Sequence, residues 1–130
     1  MKKNEEYIVT CIDDTDLNSG VVKIDDMVVF VPNLLIGEKA KIKIVKVNKK
    51  YAFGIITQLL KPSINRQELT CEVAKTCGGC QLQHMKYAYQ LDYKYKHVKK
   101  LFEDIEVKPI LGMDFPWYYR NKAQFPVKIK

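Results

Sequence analysis

Cys71, Cys77 and Cys80 fall within ten residues, in the run Cys71-Glu72-Val73-Ala74-Lys75-Thr76-Cys77-Gly78-Gly79-Cys80-Gln81-Leu82-Gln83-His84. A Gly-Gly pair between Cys77 and Cys80 is the least obstructive way to bring two thiolates onto one inorganic centre. Clustered cysteines in a reducing compartment more often hold metal than form disulfides. Three inert thiols packed as small hydrophobes would be the plainer reading, but the flanking Thr, Lys, Gly and Gln are not core-like. Two ligand sets follow from the spacing. Cys71, Cys77, Cys80 and His84 would complete a Cys3His zinc tetrahedron. Alternatively, three thiolates from one loop with a distant fourth would suit a [4Fe–4S] cluster. Cys11, between Val9, Thr10 and Ile12, reads as a buried strand thiol rather than a ligand.

A second set of residues concerns polyanions. Lys39, Lys41 and Lys43 alternate with Ala40, Ile42 and Ile44, and Lys46, Lys49 and Lys50 follow, with no acid from Lys39 through Leu60. The net charge is +7, but it is uneven: residues 1–38 hold three lysines against eight acids, and residues 39–130 nineteen basic residues against seven. A basic excess of this kind suits a nucleic-acid backbone, although lysines on strands also guard sheet edges. Trp117-Tyr118-Tyr119-Arg120-Asn121-Lys122 combines aromatic, guanidinium, amide and ammonium groups in a way that suits RNA. The candidate RNA-binding residues are therefore Lys39, Lys41, Lys43, Lys46, Lys49, Lys50, Arg120 and Lys122. Tyr87, Tyr89, Tyr93 and Tyr95 could stack on bases, but helix packing accounts for at least half of them.

These residues need elements to hold them. Tyr7–Ile12, Val21–Ile24, Met27–Val31, Lys39–Val47 and Tyr51–Leu60 read as short strands separated by turn residues. Asp13-Asp14-Thr15-Asp16 reads as a polar turn. The apolar phase switches between Ile44 and Val45, which predicts a β-bulge there. Five strands in about sixty residues predict a closed antiparallel barrel of OB-like type over 1–61. Lys61-Pro62-Ser63 marks a linker into the cysteine loop, 62–85. Leu91, Tyr95, Val98 and Phe102 recur at helical spacing, predicting a helix over about 86–104 with that stripe buried. Val107–Leu111 and Tyr118–Lys130 read as strands, so 86–130 looks like the start of an α+β domain, cut in mid-strand.

The composition narrows the classes further. With 47 % hydrophobic residues the chain can fold. No apolar stretch approaches the roughly 18 residues of a membrane span, and no signal-like run follows Met1, so a cytoplasmic location is expected. The six glycines form no Gly-x-Gly nucleotide loop, and neither a Walker motif nor a Ser/His/Asp set is present.

The chain resembles the N-terminal part of the RNA (uracil-C5-)methyltransferase family, the branch acting on 23S ribosomal RNA. Four features carry the resemblance in order. They are a small barrel like a TRAM domain, the Cys71-x5-Cys77-Gly-Gly-Cys80-x-Leu82-Gln83-His84 run, Tyr87-x-x-Gln90-Leu91-x-x-Lys94, and Pro116-x-x-Tyr119-Arg120-Asn121-Lys122. Radical methylthiotransferases also carry such barrels, but with a Cys-x3-Cys-x2-Cys run at the other end. The resemblance implies S-adenosylmethionine-dependent methylation of uridine C5 by the parent protein. There a cysteine thiolate adds to C6, C5 takes the methyl group, and a base removes the C5 proton. It implies that the nucleophile, base, cofactor loop and fourth cluster cysteine lie beyond Lys130, so this segment alone would be inactive. It also shifts the metal reading toward [4Fe–4S] on Cys71, Cys77 and Cys80, with RNA as partner and no protein or membrane partner implied. The alternatives are a stand-alone RNA-binding module with a Cys3His zinc, a tRNA-specific relative, and an adaptor whose lysines are merely solvated.

Overall fold

Alternation of apolar and polar side chains dominates the first sixty residues, and the computed structural model, which describes residues 1–129, turns it into a curled six-stranded sheet. The strands are β1 (Glu6–Thr10), β2 (Asp13–Asp14), β3 (Ser19–Ile24), β4 (Met27–Pro32), β5 (Lys39–Val47) and β6 (Tyr51–Lys61), in the order β1-β5-β6-β4-β3-β2. The two ends of that order are neighbours in sequence. After Thr10 the chain bends at Cys11, whose N–H donates to Glu38 O at 2.9 Å, and Ile12 N–H then donates to Val21 O at 2.9 Å. One bent path thus pairs first with β5 and then with β3, so the sheet curls back on itself, as an OB-like barrel requires.

Inside sit Val9, Cys11, Val22, Val29, Val31, Ala40, Ile42, Ile44 and Ala52. Burial pushes the Cys11 thiol pKa up, as expected of a core thiol. Gly20 has no room for a side chain: a β-carbon there would lie 2.6 Å from Leu34 O and 2.7 Å from Cys11 Sγ. The β3–β4 turn needs two left-handed residues to match the strand twist, and Asp25 and Asp26 adopt φ of 49° and 66°.

Two expectations are corrected here. Asp13-Asp14 is a short strand rather than a turn, because closing the barrel gives it Val21 and Gly20 as partners. The barrel is also not wholly antiparallel, since β4 and β6 pair in parallel (Val28↔Tyr51, Val29↔Ala52, Phe30↔Phe53). The bulge is where the phase change placed it, between Ile44 and Lys46, and two more irregularities skip Thr57 and Leu60 on β6.

Beyond Lys61 the chain is bolted to the barrel by a buried carboxylate. Glu38, fully buried, accepts from Leu35 N–H (2.7 Å), Ser63 N–H (3.1 Å) and the Arg66 guanidinium (Nε 2.6 Å, Nη2 2.8 Å). Arg66 Nη2 also reaches Asn33 O at 2.5 Å. Burial alone would raise the Glu38 carboxyl, but the bonds from Arg66, Leu35 and Ser63 outweigh it and hold its pKa below the usual carboxylate value.

Helix α1 (Tyr87–Leu101) occupies the expected stretch but turns a different face inward. Tyr93 is its buried residue: its hydroxyl donates to Thr15 O and accepts from Asn18 N–H at 3.0 Å. One turn on, His97 packs edge-on against Tyr93 and bonds Asp14 Oδ1 at 3.1 Å. Tyr93 joins Leu35 and Met85 in a second small core, flanked by Leu82 and Tyr89. The expected stripe is only partly covered, with Leu91 and Tyr95 half-buried and Val98 and Phe102 exposed. Residues 102–113 supply that cover: Tyr95 Oη donates to Val107 O at 2.9 Å, and Met113 N–H donates to Tyr87 Oη at 2.9 Å.

The strands expected over Val107–Leu111 and Tyr118–Ile129 do not form, and Lys130 lies outside the described residues. A strand needs a neighbour to take its backbone hydrogen bonds, and among the described residues none runs alongside these segments.

The clamp generates two predictions. Glu38→Ala strands Arg66 and two backbone N–H groups, and should cost roughly 2–4 kcal/mol, near the low end for a broken buried pair because Arg66 keeps some water. Urea unfolding should show the loss, together with faster proteolysis around residues 62–70. The second concerns acid. His84 is buried beside Arg66, and burial first and that guanidinium second lower its pKa from 6.5 to about 4. The folded chain therefore holds His84 neutral while the unfolded chain protonates, so stability present above pH 6.5 falls between 6.5 and about 4. Glu38 adds to the loss at lower pH, as its carboxylate protonates. Unfolding free energies of His84→Gln should lack the slope between 6.5 and 4.

Candidate nucleic-acid interface and cysteine loop

The outer face of the barrel carries the lysines of β5. Since Ala40, Ile42 and Ile44 are fully buried, Lys39, Lys41 and Lys43 point outward by the pleat. The bulge at Val45 resets the phase, so even-numbered Lys46 joins the same face, opposite Phe53. Lys41 has an exposed partner, Glu6 at 3.1 Å, a contact worth little in water and easily exchanged for another anion. Lys49 and Lys50 occupy the exposed hairpin closed by the Asn48 N–H to Tyr51 O bond at 2.8 Å.

Register adds a feature that the lysine pattern does not announce. Directly paired residues share a face, so Val21, Phe30, Phe53 and Lys46 form one row across four strands, and Lys23, Val28 and Tyr51 form the next. Phe30, Tyr51 and Phe53 thereby meet outside the barrel, with ring centroids 5.5–5.9 Å apart and Tyr51–Phe53 edge-to-face at 90°. None of the three is buried. A cluster of aromatic rings held on a sheet surface, with Lys46, Lys49 and Lys50 beside it, offers π-faces and cations together, the pairing that single-stranded nucleic acid uses. The sequence contained the signal: Phe30 alternates with buried Val29 and Val31, and Tyr51 and Phe53 flank Ala52.

Arg120 and Lys122 sit apart from that row, in the exposed segment without regular structure. Arg120 instead approaches the cysteine loop, where a β-carbon on Gly79 would lie 4.0 Å from its Nη1. Phe115 and Tyr118 stack at 6.4 Å nearby in sequence. The four helix tyrosines are engaged in packing: Tyr93 and Tyr89 toward the barrel, Tyr87 and Tyr95 with residues 107–113.

The cysteine loop hangs from a pinned neck. Arg66 and Met85 form an antiparallel bridge, Gln67 N–H donates to His84 O at 2.9 Å, and Lys86 N–H donates to Asn65 O at 2.8 Å. Asn18 Nδ2 adds a bond to Gln81 O at 2.6 Å. Between these anchors Cys71, Cys77 and Cys80 are all exposed. Cys77 Sγ accepts the Gly79 N–H at 3.4 Å, and a β-carbon on Gly79 would come within 3.3 Å of that sulfur. Glycine is therefore what lets the backbone close on the thiol.

As donors, three exposed thiols on one loop fit a thiophilic metal or an iron–sulfur cluster. They are not gathered round a common point: among the described residues no three Cys, His, Asp or Glu side chains form a ligand set. For the Cys3His alternative, the fourth donor differs from the other three in burial: His84 is buried, whereas the three cysteines are exposed. His84 lies near Glu38 and Arg66 at the neck, and its Nε2 has no hydrogen-bond partner among the described residues.

Residues 3–57 match the TRAM domain family profile. Over 98 % of its length the chain is 46 % identical to a Halalkalibacterium halodurans protein and 47 % identical to an Oceanobacillus iheyensis protein, both named as RNA methyltransferases. The chain spans only 29 % and 28 % of their lengths. Among solved structures, it resembles the Pyrococcus abyssi tRNA (uracil-54, C5)-methyltransferase in complex with S-adenosyl-L-homocysteine. That likeness has a TM-score of 0.50 at 28 % identity and covers 78 % of this chain and 23 % of the other. Residues 3–57 are thus a TRAM domain, and the chain as a whole is a homologue, across nearly all its length, of a segment of proteins named RNA methyltransferases.

Proposed function

We propose that this chain is the RNA-binding and cluster-carrying portion of an S-adenosylmethionine-dependent enzyme that methylates C5 of uridine in 23S ribosomal RNA. The observation that carries the RNA reading is the Phe30–Tyr51–Phe53 cluster beside Lys46 and the Lys49-Lys50 hairpin. Lysines alone would give sequence-blind attraction to phosphate; rings alone would give an apolar patch. Together they hold a strand by its backbone while bases lie on π-faces. The methyltransferase reading is supported by the homologues, and the S-adenosylmethionine reading by the structural neighbour bound to its demethylated product. That neighbour's substrate is tRNA, which favours tRNA as the second reading.

In this reading Cys71, Cys77 and Cys80 hold a [4Fe–4S] cluster with a fourth ligand from outside these residues. When bound, the cluster supplies cross-linking of the loop rather than redox turnover. The pinned neck and the Gly78-Gly79 turn support that role, because they leave the loop free to close round a centre without disturbing the barrel.

Two measurements test these statements. Phe53→Ala and Tyr51→Ala should each weaken single-stranded RNA binding roughly tenfold, given about 1–3 kcal/mol per stacked base, and leave the salt dependence unchanged. Lys46→Gln and Lys50→Gln should also weaken binding, but with a reduced salt dependence, the slope of log K against log salt falling by about one each where a phosphate contact is lost. Equal affinity of all four variants and the parent chain would remove the barrel face as the RNA site. For the cluster, anaerobically reconstituted protein should be brown and contain iron, and Cys77→Ser should bleach it; colourless protein carrying zinc would refute the assignment.

A further inference from the structure

We infer that Arg120 is a positioning residue for the cysteine loop rather than an RNA contact of the barrel face. The inference rests on reading that loop as a ligand site, and three observations lead to it. Arg120 lies near Gly79: a β-carbon there would stand 3.3 Å from Cys77 Sγ and 4.0 Å from Arg120 Nη1. The same glycine donates its N–H to Cys77 Sγ, so the sulfur, the amide and the guanidinium border one small space. Among the described residues, moreover, Arg120 forms no ion pair, although the chain carries fifteen acids.

A guanidinium is always charged and carries five donors in a planar fork. Placed beside exposed sulfur with no carboxylate to neutralise it, it supplies a fixed positive charge where thiolates accumulate negative charge on ligating a metal. Hydrogen bonds and charge around ligating sulfur are the outer-shell features that orient such ligands. The assignment also gives the segment from Trp117 to Lys122 a reason to pass the loop. It ties the chain that leaves α1 to the thiols without using the barrel.

Alkylation of the metal-free chain tests this without requiring a cluster. The ratio of iodoacetate to iodoacetamide modification at Cys77, read by peptide mass spectrometry, reports local charge and cancels the thiolate fraction common to both reagents. A positive charge about 6 Å away in water favours the anionic reagent roughly threefold. Arg120→Gln should lower the ratio by about that factor, while Arg120→Lys keeps it and Lys122→Gln leaves it unchanged. A ratio unaltered by Arg120→Gln, or lowered equally by Lys122→Gln, overturns the assignment. Iron uptake by the parent chain is scored separately: failure to bind iron would sink the cluster reading, and the alkylation ratio would still decide whether Arg120 faces the thiols.

Discussion

A carboxylate buried without exposure to water must be answered by donors, and Glu38 is answered from three directions. Its place between β4 and β5 is fixed by barrel closure, since its own carbonyl receives the Cys11 N–H at the bend from β1 to β2. Its side chain then dictates where the chain must go after β6, because Ser63 and Arg66 have to arrive beside it. Desolvating a carboxylate is costly unless it is paired and hydrogen-bonded, so the barrel cannot close well without recruiting the segment that follows. The linker marked by Pro62 is thus a joint under electrostatic obligation, not a loose tether.

The second contact between barrel and helix is of another kind. Tyr93 and His97 sit one turn apart and reach Thr15, Asn18 and Asp14 with polar atoms, while the Tyr93 ring fills the small core with Leu35 and Met85. Aromatic side chains with a polar tip can bury their bodies and still satisfy a backbone carbonyl. The helix is therefore held by hydrogen bonds with directions as well as by area, which fixes its rotation about its own axis.

How much of this could be read from the residues follows from the same physics. Strands with strict alternation were legible, as was the bulge after Ile44, because a phase change in a period-2 pattern has one structural cause. The Asp13-Asp14 strand was hidden: two acids have no strand propensity, and their pairing comes only from closure. The parallel β4–β6 contact was hidden for the same reason, being a property of the whole barrel. The helix was legible but its inward face was not, since counting Leu91, Tyr95, Val98 and Phe102 as the stripe gives no credit to Tyr93 and His97. In the candidate site, the lysines stood out by charge, whereas Phe30, Tyr51 and Phe53 are far apart in sequence and meet only through register. The thiols stood out by spacing; Arg120, forty residues away, could not have been linked to them without the fold.

The neck of the cysteine loop has a consequence for how damage would spread. Its bridge between Arg66 and Met85 and its bonds to Asn65 and Gln67 are made entirely outside the run from Cys71 to Cys80. Barrel and helix are joined through that neck and through Tyr93, so the thiols hang from the joint without being part of it. Oxidation of the sulfurs or a different loop length would be mechanically insulated from the aromatic and lysine face of the barrel. The loop behaves as a replaceable fitting on a permanent frame, and chemical wear at its tip need not cost the chain its shape.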